Sequence, residues 1–165
     1  MDWIFVAMPK EAKQISKDKN VFVTGIGVSN VIKKISNAIK SGQIRKTDRI
    51  INVGYCGSKM FPAGTVLSIS RVDKHQKPTA IKEPDFILRP LTDLATTCYT
   101  CDDFMDNIEK TGVVDMELFY LATFFPNIQS IKIVSDSGDS SEYKMNTKKT
   151  DSWKIVNSIL ERELK

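Results

Sequence analysis

Two short segments carry residue types suited to acid–base chemistry. Gly112-Val113-Val114-Asp115-Met116-Glu117 sets two carboxylates at the start of an apolar run, Leu118-Phe119-Tyr120-Leu121-Ala122. Ser135-Asp136 sets a third at the end of a β-branched run, Ile131-Lys132-Ile133-Val134. A carboxylate buried without a partner costs several kcal/mol, so acids at the ends of buried elements mark a place where they are used. In an α/β sheet, an acid closing a strand and an acid opening a helix face the same crevice, where small ligands bind. Proton transfer to or from a bound small molecule is the chemistry such a crevice supports.

The elements that must hold these acids can be read from hydrophobic periodicity and from glycine and proline punctuation. Trp3-Ile4-Phe5-Val6-Ala7 reads as a buried first strand, and Pro9 as the N1 residue of a short helix through Ala12 and Ile15. Val21 to Thr24 reads as a second strand, Gly25-Ile26-Gly27 as a tight turn, and Val28 to Ile39 as an amphipathic helix ended by Gly42. Arg49 to Val53 is a third strand, followed by what reads as a second glycine turn, Gly54-Tyr55-Cys56-Gly57. Thr65 to Ser70 and Ala95 to Thr100 are further strands. Residues 71–94, with Pro78, Pro84 and Pro90, read as irregular and partly mobile. A helix over Met116–Phe125 stops at Pro126, a strand runs over Ile131–Val134, and a last amphipathic helix covers residues 150–164. Strands alternating with helices predict one α/β domain over residues 1–165, in three layers, with a central mixed β-sheet flanked by helices.

The totals narrow the class. A chain of 165 residues, 41% hydrophobic and 27% charged, can bury one core and is ordinary for a soluble globular protein. The net charge of +4 is scattered, with no basic stripe interleaved with aromatics, so a nucleic-acid partner is not expected. Three cysteines, Cys56, Cys98 and Cys101, fit a reducing, cytoplasmic setting. Cys98-x-x-Cys101 is a lone pair beside a single histidine, His75, so it reads as packing and not as a metal site. The apolar stretch Trp3–Met8 is too short for a signal core, and no segment approaches a membrane span. Gly25-Ile26-Gly27 opens a helix where an anion would bind, but position 30 is Asn and no Lys-Ser/Thr pair follows; a structural turn is the favoured reading.

Taken in order, the motifs resemble the nucleoside phosphorylase/nucleosidase superfamily, and within it most the methylthioadenosine/S-adenosylhomocysteine nucleosidases. Ala7-Met8-Pro9-Lys10-Glu11-Ala12 resembles the family's N-terminal motif, and Thr24-Gly25-Ile26-Gly27 its first glycine turn. Ile51-Asn52-Val53-Gly54-Tyr55-Cys56-Gly57 is similar to its central glycine-rich strand end, with Gly64 to Ser70 as the strand after it. Cys101-Asp102-Asp103-Phe104 resembles its base-binding loop, Val114-Asp115-Met116-Glu117 its ribose-binding segment, and Ser135-Asp136 with Asp139 its acid-bearing strand end.

The resemblance implies a nucleoside phosphorylase-like fold and N-glycosidic cleavage of a purine nucleoside. It implies that Asp136 protonates or hydrogen-bonds purine N7, so that the base leaves neutral. Glu117 would bind the ribose hydroxyls and favour the ribosyl cation by its charge. Glu11 would orient or deprotonate the attacking water; read from the residues without the resemblance, a first-turn acid favoured by the helix dipole is the favoured reading. Met116 would pack under the sugar, Phe104 stack on the base and the Met105 backbone read its edge. Gly54, Tyr55 and Lys132 complete the implied substrate-binding set, with Asp115 structural or solvated. No cofactor or metal is implied, and the implied assembly is a homodimer.

Water or phosphate as the nucleophile is the sharper question. Phosphate needs cations. Asn52 stands where the superfamily's purine phosphorylases place an arginine, and Glu11 would repel an anion; both favour water. Tyr55 replaces the family's usual serine, and Lys132 its usual arginine, keeping charge but losing the fork geometry. The chain is also shorter than a typical member, chiefly between Ser70 and Ala95, which implies an open pocket, altered 5′ specificity or a different oligomer. The alternatives to a nucleosidase are a phosphate-dependent purine nucleoside phosphorylase and a protein that binds nucleosides without cleaving them.

Overall fold

The computed structural model describes residues 1–75, 85–105, 108 and 111–164. In chain order its elements are β1 (Asp2–Val6), α1 (Pro9–Ala12), β2 (Val21–Val23), α2 (Gly27–Lys40), β3 (Arg49–Gly57), β4 (Val66–Lys74) and β5 (Phe86–Ile87). They continue with β6 (Ala95–Thr100), β7 (Val113–Asp115), α3 (Leu118–Phe124), β8 (Gln129–Asp136), α4 (Ser140–Asn146) and α5 (Asp151–Glu163).

The sheet is mixed. Strands β2, β1, β3 and β8 lie side by side and parallel, β8 runs antiparallel to β4, and β4 is parallel to β6. Strand β6 pairs in parallel with β7, which touches β3 through one antiparallel pair, Gly57 with Val114. Those five pairings close β3, β8, β4, β6 and β7 into a ring, with β1 and β2 extending it from β3.

Alternation along the central strands sends side chains to both faces, which is why these runs are continuously apolar. Phe5 and Ile50 join a core with Val31, Ile35 and Ala38 of α2 and with Leu118 and Leu121 of α3. Their neighbours Ile4, Val6, Ile51 and Val53 face the other way, onto Trp153, Val156, Ile159 and Leu160 of α5. Helices on both faces of a mixed sheet give the expected three layers.

Several boundaries differ from the sequence reading. Gly54-Tyr55-Cys56-Gly57 is not a turn: β3 runs straight through it, paired in parallel with Lys132 to Asp136 of β8. At Gly57 the glycine serves close approach, since a Cβ there would come within 2.7 Å of Ile108 Cδ1. Helix α1 stops at Ala12 instead of reaching Ile15. Helix α3 begins at Leu118 and not at Met116, because the Leu118 N–H donates to Asp115 Oδ2 and the Phe119 N–H to Thr100 Oγ1. Those bonds satisfy the first turn from outside and leave Met116 and Glu117 free to face elsewhere. Residues 71–94 are less irregular than expected, since β4 continues to Lys74 and β5 pairs with it. The mobile stretch expected there overlaps residues 76–84, which lie outside the described residues. Short β7 and polar α4 had no counterpart in the sequence reading.

Candidate active site

A cavity of about 280 Å³ opens at the C-terminal ends of β1, β3, β7 and β8, where an α/β sheet places its ligands. All nine residues singled out from the sequence line it: Glu11, Gly54, Tyr55, Phe104, Met105, Met116, Glu117, Lys132 and Asp136.

Asp136 ends β8 and is 4% exposed. Its Oδ2 lies 2.7 Å from the Ser135 hydroxyl, and its Oδ1 accepts the Gly138 N–H at 2.9 Å. Burial raises its pKa despite those two donors. Such a carboxyl is fixed in direction, and its proton is held more readily than that of an ordinary aspartate.

Glu117 sits between β7 and α3. Its Oε1 accepts the N–H of Gly27, the first residue of α2, at 3.0 Å. The glycine turn therefore does receive an anion at a helix N-terminus, but the anion is the protein's own Glu117. Burial, reinforced by the nearby Asp115 charge, pushes Glu117 up to about 7.

Glu11 lies on α1 and is 1% exposed. Its Oε2 accepts the Met8 N–H at 2.7 Å, so it caps its own helix, as a first-turn acid would. The other oxygen remains on the cavity side: Oε1 and Lys132 Nζ lie 3.7 and 3.8 Å from the same point above Gly54. Burial raises the Glu11 pKa, partly offset by the Met8 N–H and by Lys132.

The floor is built differently. Lys132 and Asp115 have side chains 1% and 0% exposed and meet at 2.7 Å. Asp115 also accepts the Thr100 hydroxyl at 2.6 Å and the Leu118 N–H at 3.0 Å. Burial alone would raise the Asp115 pKa, but Lys132 and these donors outweigh it and hold the carboxyl below its ordinary value. For Lys132 burial acts downward and the Asp115 charge overrides it, so the lysine stays firmly charged. Asp115 is thus structural and not solvated.

Tyr55 lines the cavity with its ring, while its hydroxyl accepts the Trp153 Nε1–H at 2.8 Å. Asn52 donates to Phe5 O at 3.3 Å and accepts from Ser130 at 3.0 Å. Cys98 packs in the core, and Cys101 packs near Ile108 and Val114; neither forms a disulfide.

The aromatic wall is Phe104, 40% exposed, set edge-on to Tyr143 of α4 with ring centroids 6.1 Å apart. Tyr143 also meets Tyr55 edge-on at 6.2 Å, and burial together with the Glu11 charge moves its phenol up to about 12. The sequence reading missed Tyr143. The signal available was the Asp139-x-x-Glu142 pattern that starts α4: Asp139 accepts the Ser141 and Glu142 N–H groups, and Glu142 accepts the Ser137 N–H.

No family model and no curated protein sequence matches the chain. Solved structures do. The 5′-methylthioadenosine/S-adenosyl homocysteine nucleosidase of Helicobacter pylori, complexed with a pyrrolidine inhibitor, superposes with a TM-score of 0.77 at 13% identity, covering 98% of this chain and 97% of that one. The futalosine hydrolase of Helicobacter pylori gives 0.75 at 13% identity, with the same coverage of each chain. A single-residue variant of the Chlamydia trachomatis nucleosidase gives 0.74 at 17% identity, covering 96% and 94%. The chain has the fold of the methylthioadenosine/S-adenosylhomocysteine nucleosidases, matched through nearly all of both chains.

Proposed function

We propose that this protein hydrolyses the N-glycosidic bond of a purine nucleoside of the methylthioadenosine/S-adenosylhomocysteine type, releasing the free base and a sugar. One observation carries the reading: Glu11, Glu117 and Asp136 converge on one cavity, each buried, each with a raised pKa and none in an ion pair among the described residues. Three buried acids without counter-ions are of little use for binding alone. The structural neighbours named as nucleosidases and as a hydrolase support the same reaction class.

Each acid has a distinct task. Asp136, its pKa raised by burial, gives a hydrogen bond or the proton to purine N7 as the C1′–N9 bond breaks and its electron pair moves to the base. Glu117 accepts from the ribose hydroxyls in its ionised form and favours the positive charge that develops on the sugar. Glu11 holds water through the oxygen not used by Met8 and takes its proton. Phe104 and Met105 contact the base and Met116 the sugar, with Gly54 leaving the floor open. Phosphate as nucleophile is disfavoured: Asn52 brings no charge, and Lys132, the one cation among the described lining residues, is bonded to Asp115.

The reading extends to a homodimer in the cytoplasm. The three cysteines form no disulfide, which accords with a reducing compartment, and no helix among the described residues is long and apolar enough to cross a membrane. Sedimentation tests the dimer. For the activity, methylthioadenosine, S-adenosylhomocysteine and adenosine are incubated with and without phosphate, beside Asp136→Asn, and the free base is measured by chromatography. Release that needs no phosphate and is lost in the variant is expected; binding with no release would leave a nucleoside-binding protein.

A further inference from the structure

We propose that Asp115 selects the nucleophile: by binding Lys132 beneath the cavity floor, it withholds the one cation among the described lining residues from any anion that enters, and so reserves the site for water. The inference rests on the nucleosidase reading of the site and deepens it: the Asp115–Lys132 bond that counts against phosphate there is here assigned to Asp115 as the residue that selects the nucleophile.

The geometry has three parts. Lys132 lies mid-strand in β8, where every residue from Gln129 to Asp136 is buried. Its ammonium reaches the cavity near Gly54, within 3.8 Å of a point that is 3.7 Å from Glu11 Oε1. A cation there, beside the water-side oxygen of Glu11, is placed where an oxyanion attacking the sugar would need a partner. Asp115 meets the same ammonium at 2.7 Å and is held there by Thr100 and the Leu118 N–H. The carboxylate is therefore fixed by α3 and β6, through bonds that involve no ligand. The remaining charges among the described lining residues, Glu11, Asp103, Glu117 and Asp136, are all acidic. With the charge of Lys132 balanced by Asp115, these acids set the field in the cavity, and a polyanion meets repulsion that the paired lysine does not offset. Asp115 is thus a positioning residue that acts on the nucleophile through Lys132.

The test reads phosphate binding directly, by calorimetry with inorganic phosphate, so it does not depend on turnover. In Asp115→Asn the amide keeps the contact with Thr100 but loses the charge, and phosphate should bind at least about tenfold more tightly than to the parent protein. Asp115→Glu, which retains the charge, should bind phosphate no better than the parent. A folded Asp115→Asn that gains no phosphate affinity overturns the inference. Glu11→Gln keeps the proposal exposed if Asp115→Asn does not fold: it removes the other acid beside Lys132 and leaves the ion pair intact, so phosphate should still not bind. Phosphate binding to Glu11→Gln would show that Glu11, and not Asp115, excludes the anion, and would also overturn it. If none of the nucleosides is cleaved but phosphate behaves as stated, the charge arrangement stands and the nucleosidase reading fails.

Discussion

The floor and the walls of the cavity use the same residue type to opposite ends. Asp115, in the floor, is buried and bonded to Lys132, Thr100 and a helix N–H, and its pKa is driven down. Two residues further on, Glu117, in the wall, is as deeply buried, meets one N–H, and is driven up to about 7. Glu11 and Asp136 follow Glu117 and not Asp115. Burial does not separate the acids whose pKa rises from the one whose pKa falls; the ion pair to Lys132 does. A paired carboxylate holds the fold together, and an unpaired one is available for proton transfer.

The largest effect that sharpens this contrast belongs to Asp136. Asp136→Asn should lower turnover about a hundred- to ten-thousand-fold, the usual reach of a general acid, with little change in melting temperature. Steady-state kinetics and a thermal melt on one preparation check both halves. Lys132→Met should behave in the reverse sense, as a stability variant first. It leaves Asp115 buried and uncompensated, a loss of about 3–5 kcal/mol, and melting should fall by roughly 10 °C. Adding Asp115→Asn to it should return most of that stability, which a double-mutant cycle measures.

Glu117 supplies an effect of intermediate size with a definite sign. Its folded pKa lies above its ordinary value of 4.5, so between there and about 7 the folded state binds the extra proton. Parent stability should therefore fall as pH rises across that window and level off above it. Glu117→Gln removes the titration and should outlast the parent by about 1–3 kcal/mol at pH 8, with no difference at pH 4. Denaturant melts at several pH values decide it, and equal pH dependence in both proteins would place Glu117 with Asp115. The smallest effect is Tyr55→Phe, which frees the Trp153 N–H. Stability should drop by about 1 kcal/mol, with turnover within about threefold of the parent.

The same contrast explains what the sequence could convey. Strand β1 and helix α2 were legible because each carries an apolar run or period bounded by glycine or proline, and α5 because its apolar residues recur at helical spacing. Glu117 and Asp136 were legible because they sit where the apolar runs of α3 and β8 start and stop. The extension of β3 through Gly54 and Gly57 was not, since glycine usually ends a strand, and here it makes room for Ile108 and the cavity. Strand β7 is too short at three residues to show alternation, and α4 is a seven-residue helix with no buried apolar stripe, so Tyr143 was missed with it. The Asp115–Lys132 pair joins residues on different strands, and no local pattern announces it. The lysine inside Ile131-Lys132-Ile133-Val134 was still a legible cue: a charge within a fully buried strand requires a counter-charge.

The measurement that tests the central claim most directly is the fate of the oxygen. Methylthioadenosine is incubated with the protein in ¹⁸O-labelled water containing phosphate, and the products are weighed by mass spectrometry. Unpaired acids acting on water predict free adenine and a sugar carrying one ¹⁸O at C1, with no sugar phosphate. Unlabelled sugar 1-phosphate, or intact nucleoside after prolonged incubation, would contradict the account.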